Sequence, residues 1–223
     1  EYVEEKGYGH ILIPQYGVFN DAREIDFENL PNEFVLKTTN SSKTNIICED
    51  KSQLDQEETI KLLNKWLNER PVHLGREWAY YDIEPKIICE KLLKDESSKA
   101  GDLKDYKFIC FDGETKYIWV DNDRFTNHTR NFFDTEWNSL DVEFNVPKGN
   151  VRVHKPELLD EMIDIANGLS KGFPHVRVDL YLVNGQIYFG EMTFYSHSGY
   201  DQFNPDEFDF HLGELFDLDR IRF

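Results

Sequence analysis

The stretch that decides the fold is Val176-Arg177-Val178-Asp179-Leu180-Tyr181-Leu182-Val183, the pair Asn184-Gly185, and then Gln186-Ile187-Tyr188-Phe189-Gly190-Glu191-Met192-Thr193-Phe194. Asn-Gly between alternating apolar residues is the strongest short-range hairpin signal, because the tight turn needs positive φ at both central positions. Asp179 is five residues before Asn184 and Glu191 is six after Gly185, so the two carboxylates are expected close to opposite each other across the ladder. Strand side chains alternate with period two, which puts Arg177 on the face of Asp179. Opposed carboxylates repel unless a cation lies between them, and hard oxygen ligands suit Mg²⁺. The competing reading is a one-residue slip or bulge that sends one carboxylate to the other face and leaves Arg177 simply paired with its neighbour.

Working outward, Leu158, Met162, Ala166 and Leu169 stack at helical spacing, predicting a helix over Glu157 to Leu169 with Pro156 at its entry and Gly172 beyond its end. Upstream, Tyr106 to Phe111 and Lys116 to Val120 flank Asp112-Gly113, a second hairpin signal. Pro85 to Leu93 reads as a strand too continuously apolar to be half exposed, and Lys94 to Lys104 reads as a loop. Toward the N-terminus, Ile11-Leu12-Ile13, Phe34-Val35-Leu36-Lys37 and Ile46-Ile47-Cys48 read as strands. Ile60, Leu63 and Leu67 mark a helix that Ser52 or Asp55 could cap, and Pro205 precedes a short terminal helix. The pattern is α+β: strands in antiparallel pairs with a few covering helices.

Composition narrows the function. Among 223 residues, 25 basic and 43 acidic side chains give a net charge of -18, which repels a phosphate backbone and argues against general nucleic-acid binding. Hydrophobic residues at 39% and aromatics at 14% are ample for a buried core. No apolar run is long enough to span a membrane, and the N-terminus lacks the features of a signal peptide. The first residue is not Met, which reads as a trimmed chain. Cys48, Cys89 and Cys110 are odd in number and each lies in an apolar run, favouring buried thiols and a cytoplasmic location over disulfides.

Three further sites carry chemistry. Lys37 ends a strand before the polar turn Thr38 to Thr44, where an ammonium and backbone N–H groups could meet phosphates, although a plain surface loop explains it too. Glu90, at a strand end, could accept from an adenine amino group or simply be solvated. Arg124, His128 and Arg130 form a basic island suited to a carboxylate or phosphate, or else local ion pairs with the neighbouring Asp121 and Asp123.

The ordered set of Lys37, Ile87 to Leu93, Arg177-Val178-Asp179 and Gly190-Glu191-Met192-Thr193 resembles the ATP-grasp superfamily. Asp105-Tyr106-Lys107-Phe108, Asp121 to Phe133, Gly172-Phe173-Pro174 and Gly190 to Tyr195 narrow the resemblance to its TupA-like branch, associated with bacterial capsule and teichuronic acid clusters. The resemblance implies a two-lobed α+β fold gripping ATP between antiparallel sheets, with 1–93 as the first lobe and 94–223 as the second. It implies a ligase that activates a carboxylate as an acyl phosphate for attack by an amine. By position, Lys37, Lys86 and Lys107 would serve ATP phosphates, and Glu90 with Leu92 the adenine. Asp179, Glu191 and Thr193 would hold Mg²⁺, and Arg177 would stabilise the transferring phosphoryl group. The expected partners are a carboxylate-bearing saccharide or nucleotide sugar, such as a uronic acid, and a small amine. Three features depart from the family: Thr193 stands where Asn is usual, the loop after Lys37 has no glycine, and the chain begins almost at the first lobe. A nucleotide-sugar glycosyltransferase and a non-catalytic nucleotide-binding module are the alternatives.

Overall fold

The computed structural model describes residues 1–69, 78–95, 103–122, 127–150, 152–194, 196–200 and 202–217. The chain divides into two compact units, one formed by Ile13–Leu93 and the other by Glu1–Leu12 with Lys94–Phe223. A one-turn helix, α1 (Tyr2–Glu5), opens the chain and belongs to the second of these.

The 13–93 unit holds β1 (Gln15–Phe19), β2 (Phe34–Thr38), β3 (Asn45–Cys48), helix α2 (Gln56–Asn68) and β4 (Ile87–Glu90). Its antiparallel sheet runs β1-β4-β2-β3. In β2 the alternation buries Phe34 and Leu36, and they pack with Leu63 of α2, Ile87 and Cys89. Asp55, not Ser52, caps α2, accepting from the Glu58 amide at 3.0 Å. Two expectations are corrected here. Ile11-Leu12-Ile13 is not a strand: Gly9–Ile11 forms a 3₁₀ turn, and the first strand starts at Gln15. A three-residue apolar run carries no periodicity, and Ile11 is buried by packing instead. The Pro85–Leu93 strand is ladder-bonded only over Ile87–Glu90.

The other unit is built on β5 (Asp105–Phe111), β6 (Glu114–Asn122), β7 (Thr129–Asp134), β8 (Ser139–Leu140), β9 (Glu143–Phe144), helix α3 (Leu159–Ser170), β10 (His175–Val183), β11 (Gln186–Thr193), β12 (Phe203–Asn204) and helix α4 (Glu207–Glu214). A six-stranded sheet runs β11-β10-β5-β6-β7-β8. Both expected hairpin turns form with positive φ at their central pairs, Asn184-Gly185 and Asp112-Gly113. One face of the sheet carries Phe108, Cys110, Ile118, Val176, Val178 and Leu180, against which α3 sets Leu159, Met162, Ile165, Ala166 and Leu169. Burying each of these large side chains contributes about 1.5–3 kcal/mol relative to exposure. The first residues seal this core: Val3 joins it, and the Tyr2 hydroxyl donates to the Leu169 carbonyl at 2.7 Å. Among the described residues no helix is long and apolar enough to cross a membrane. Cys48, Cys89 and Cys110 are buried thiols, as expected.

Candidate active site

The second face of the six-stranded sheet is the unusual one. Cross-strand register sets Glu191, Asp179, Lys107, Trp119 and Phe132 in one rank across β11, β10, β5, β6 and β7. Asp121 opposes Arg130 in the adjacent rank, and Arg177 faces Thr193 on the other side. Six buried charged residues lie here: Asp105, Asp121 and Asp179 against Lys107, Arg130 and Arg177. Buried charges persist only when paired, and three acids balance three bases.

The Asp179–Glu191 pairing depends on a bulge. From Val183↔Gln186 to Leu180↔Phe189 the hairpin is regular, and continuing it would pair Asp179 with Gly190 and turn Glu191 to the α3 side. The register instead shifts between Asp179 and Leu180, so that Gly190 is the extra residue and Asp179 pairs with Glu191. A Cβ at Gly190 would lie 3.0 Å from the Asp179 carbonyl oxygen and 3.1 Å from the Tyr181 ring, so glycine suits the site sterically.

Arg177 ties the carboxylates together. Its Nε donates to Asp179 Oδ1 at 2.6 Å, and its Nη2 donates to Asp179 Oδ2 at 2.8 Å and to Glu191 Oε1 at 2.9 Å. Its Nη1 reaches Ser196 Oγ at 3.3 Å. Asp179, 1% exposed, also accepts from Lys107 Nζ, which donates to Asp105 Oδ2 at 2.5 Å as well. Burial alone would raise the Asp179 pKa, but the charges of Arg177 and Lys107 outweigh it and hold the carboxyl below its usual range. Glu191 shifts the other way: desolvation and the Asp179 charge push its pKa up. Its side chain still reaches solvent, at 56% exposure, so it is the accessible member of the pair.

Arg177 and Arg130 both lie over the Trp119 ring, at 5.2 and 4.8 Å from its centroid. Arg130 is not an open anion grip: its Nε donates to Asp121 Oδ1 at 2.7 Å and its Nη1 to the Phe144 carbonyl at 3.1 Å. His128 Nε2 meets the same Asp121 oxygen at 3.0 Å, with 32% of its side chain exposed. The local ion-pair alternative is therefore realised at Arg130. Arg124 lies outside the described residues.

The remaining expected site residues belong to the 13–93 unit. Lys37 Nζ donates to Glu90 Oε1 at 2.6 Å, a cross-strand diagonal that the β2–β4 register allows. Lys86 offers its backbone amide to Thr39 Oγ1 at 2.9 Å and its ammonium to Glu84 at 3.3 Å, and Leu92 is half-buried. The glycine-free loop after Lys37 is pinned by its side chains: Thr38 and Thr44 hydroxyls meet at 2.7 Å, and Asn40 Nδ2 donates to the Trp66 and Glu69 carbonyls at the end of α2. Asp105, Trp119 and Ser196 carry no role in the sequence pattern, and Asp121 enters there only as an ion-pair neighbour. The i, i+2 placement of Asp105 with Lys107, and of Trp119 with Asp121, was the available signal.

A model of the TupA-like ATP-grasp family matches residues 1–217. The chain belongs to that family. Among solved structures it is similar to D-alanine–D-alanine ligase from Bacillus anthracis, with 16% identity over 95% of this chain and 60% of that one, at a TM-score of 0.55. It is also similar to N5-carboxyaminoimidazole ribonucleotide synthetase solved as its ADP complex, with 16% identity over 86% of this chain and 42% of that one, at a TM-score of 0.52. The chain thus spans 60% or less of the length of these two proteins, and what it shares with them is the ATP-grasp fold. A search of the curated proteins found no significant match.

The family resemblance implies Mg²⁺, and the β10–β11 hairpin carries oxygen donors of the kind that ion takes. Asp179 and Glu191 supply opposed carboxylate oxygens, and Thr193 adds a hydroxyl 3.4 Å from Glu191 Oε1. Among the described residues no three His, Cys, Asp or Glu side chains close into a metal cage.

Proposed function

We propose that the chain forms the ATP-grasp portion of an ATP- and Mg²⁺-dependent carboxylate–amine ligase. The observation that carries this reading is the register pair Asp179–Glu191 with Arg177 hydrogen-bonded to both, inside a chain of the TupA-like family. Phosphoryl transfer asks a protein chiefly for positioning and charge neutralisation. Asp179, Glu191 and Thr193 would hold Mg²⁺, which would supply positive charge to screen the nucleotide phosphates. Arg177, fixed by Asp179, presents Nη1, the one guanidinium nitrogen that no carboxylate holds, to the transferring phosphoryl group. A substrate carboxylate oxygen forms a bond to the γ-phosphorus as the bond to ADP breaks. The amine nitrogen then forms a bond to the acyl carbon, loses a proton, and inorganic phosphate leaves. Lys37 and Lys86 serve the nucleotide phosphates, and Glu90 with Leu92 the adenine, as the family resemblance assigns them.

For the substrate we infer an anionic saccharide, such as a uronic acid or its nucleotide-linked form, amidated in the cytoplasm during assembly of a surface polysaccharide. The support is the family branch, together with Arg124 and the part-exposed His128 as the basic positions beside the internally paired Arg130, in a chain of net charge -18. The test is release of ADP and phosphate from Mg·ATP across a panel of uronic acids and small amines, with mass spectrometry for the amide. Turnover that needs both partners supports the reading. Sugar transfer from a nucleotide sugar without ATP consumption overturns it.

A further inference from the structure

The buried ionic layer sets a charge count that the ligand roles above do not use. Asp105, Asp121 and Asp179 cancel Lys107, Arg130 and Arg177, so the half-exposed Glu191 is the one carboxylate left in surplus in this network among the described residues. A divalent cation approaching Asp179 and Glu191 alone therefore meets a network of net charge about -1, because neighbouring cations offset most of its carboxylates. Lys107 is central to this balance. Its side chain is 6% exposed and its ammonium is shared between Asp105 and Asp179. It occupies a lone pair of the very carboxylate a metal would use. Reaching out to a phosphate would require breaking a buried ion pair, which is strongly unfavourable.

We propose that Lys107 is a resident counter-ion: it competes for Asp179 and keeps the metal affinity of the Asp179–Glu191 pair low, so that Mg²⁺ is retained only together with nucleotide phosphates. Lys107 thus acts through Asp179 as a positioning residue. The nucleotide completes the site by bringing the negative charge that the protein withholds. This deepens the Mg·ATP reading above and rests on it.

The test measures Mn²⁺ binding by electron paramagnetic resonance, with and without ADP, for the wild type, Lys107→Met, Lys107→Gln and Asp179→Asn. Circular dichroism checks the fold of each. The wild type is expected to bind Mn²⁺ weakly alone and tightly with ADP. Lys107→Met, with one positive charge fewer, is expected to bind Mn²⁺ alone at least about tenfold more tightly. Metal-free ADP, an anion, is expected to bind more weakly to the same variant, because the site has become more negative. If the Met variant does not fold, Lys107→Gln decides, since it removes the charge but can still bridge the two aspartates by hydrogen bonds. Unchanged or weaker nucleotide-free Mn²⁺ binding in the folded neutral variant overturns the counter-ion role. A wild type that binds no ADP at all, with or without metal, overturns the ligase reading and this inference together. A wild type that binds Mn·ADP and loses it in Asp179→Asn, while Lys107→Met behaves as wild type, sinks this inference alone.

Discussion

Asp179 and Glu191 face each other across β10 and β11 because the strand pairing slips by one residue between Asp179 and Leu180. The slip brings Glu191 from the α3 side of the sheet to the charged side, where Arg177 Nη2 holds it at 2.9 Å. Gly190 is the residue that the slip leaves over, and it packs its backbone against Asp179 and the Tyr181 ring.

Gly190→Ala is therefore expected to strain the bulge. A Cβ 3.0 Å from a backbone oxygen forces a small shift of the strand, costing about 1–2 kcal/mol. For a chain of this size, each kcal/mol lowers the melting temperature by roughly 2–4 °C. Mg²⁺-dependent turnover should fall more than stability does, because displacement separates the carboxylates. Thermal unfolding and ATP turnover measured side by side check this, and wild-type values in both would show that the bulge has no such steric requirement.

Arg177→Lys keeps the charge but not the planar fork that meets Asp179 through two nitrogens and Glu191 through one. The expected result is a fall in kcat of about 10²–10³-fold, the usual scale for removing one donor to developing charge. The KM for ATP should change only a few-fold. Steady-state kinetics with saturating acceptor separates the two parameters, and a loss confined to KM would place Arg177 in ground-state binding instead.

The pH dependence of stability has an identifiable source in His175. Its ring lies 4.6 Å from that of Phe111, and its Nδ1 meets the Cys110 carbonyl at 3.0 Å. Burial pushes its pKa down from 6.5 to about 4; the Cys110 bond opposes that shift, and Arg177 adds to it. Below pH 6.5 the unfolded chain takes up a proton at this residue that the folded chain refuses. Its contribution is thus fully present above about 6.5 and is lost as pH falls toward 4, at up to about 1.4 kcal/mol per pH unit. Urea titrations at pH 7 and 4.5 should show a larger fall for wild type than for His175→Phe. Equal falls would place the acid sensitivity elsewhere.

The two hairpins were legible because Asn184-Gly185 and Asp112-Gly113 state their own turn geometry. The α3 face was legible because its apolar positions recur at helical spacing. The bulge was not, since five residues before the turn and six after it fit a slip as well as a site. Arg130 left two readings open, an anion grip or an ion pair with a nearby acid, and the register of β6 with β7, which sets Asp121 opposite it, decides for the pair. The same holds for Trp119: a tryptophan in an apolar strand reads as core, and only the tertiary fold brings two guanidinium groups over its ring. Long-range pairing, which local pattern does not encode, decides these cases.

The most direct test of the central claim is calorimetric titration of ADP into the wild type, Asp179→Asn and Glu191→Gln, each with and without Mg²⁺. The carboxylates are expected to act through the metal. Mg²⁺ should tighten ADP binding in the wild type, and each substitution should abolish that enhancement while leaving metal-free binding within about threefold. An Mg²⁺ enhancement that survives in both variants would contradict the assignment of Asp179 and Glu191 as the metal-holding pair.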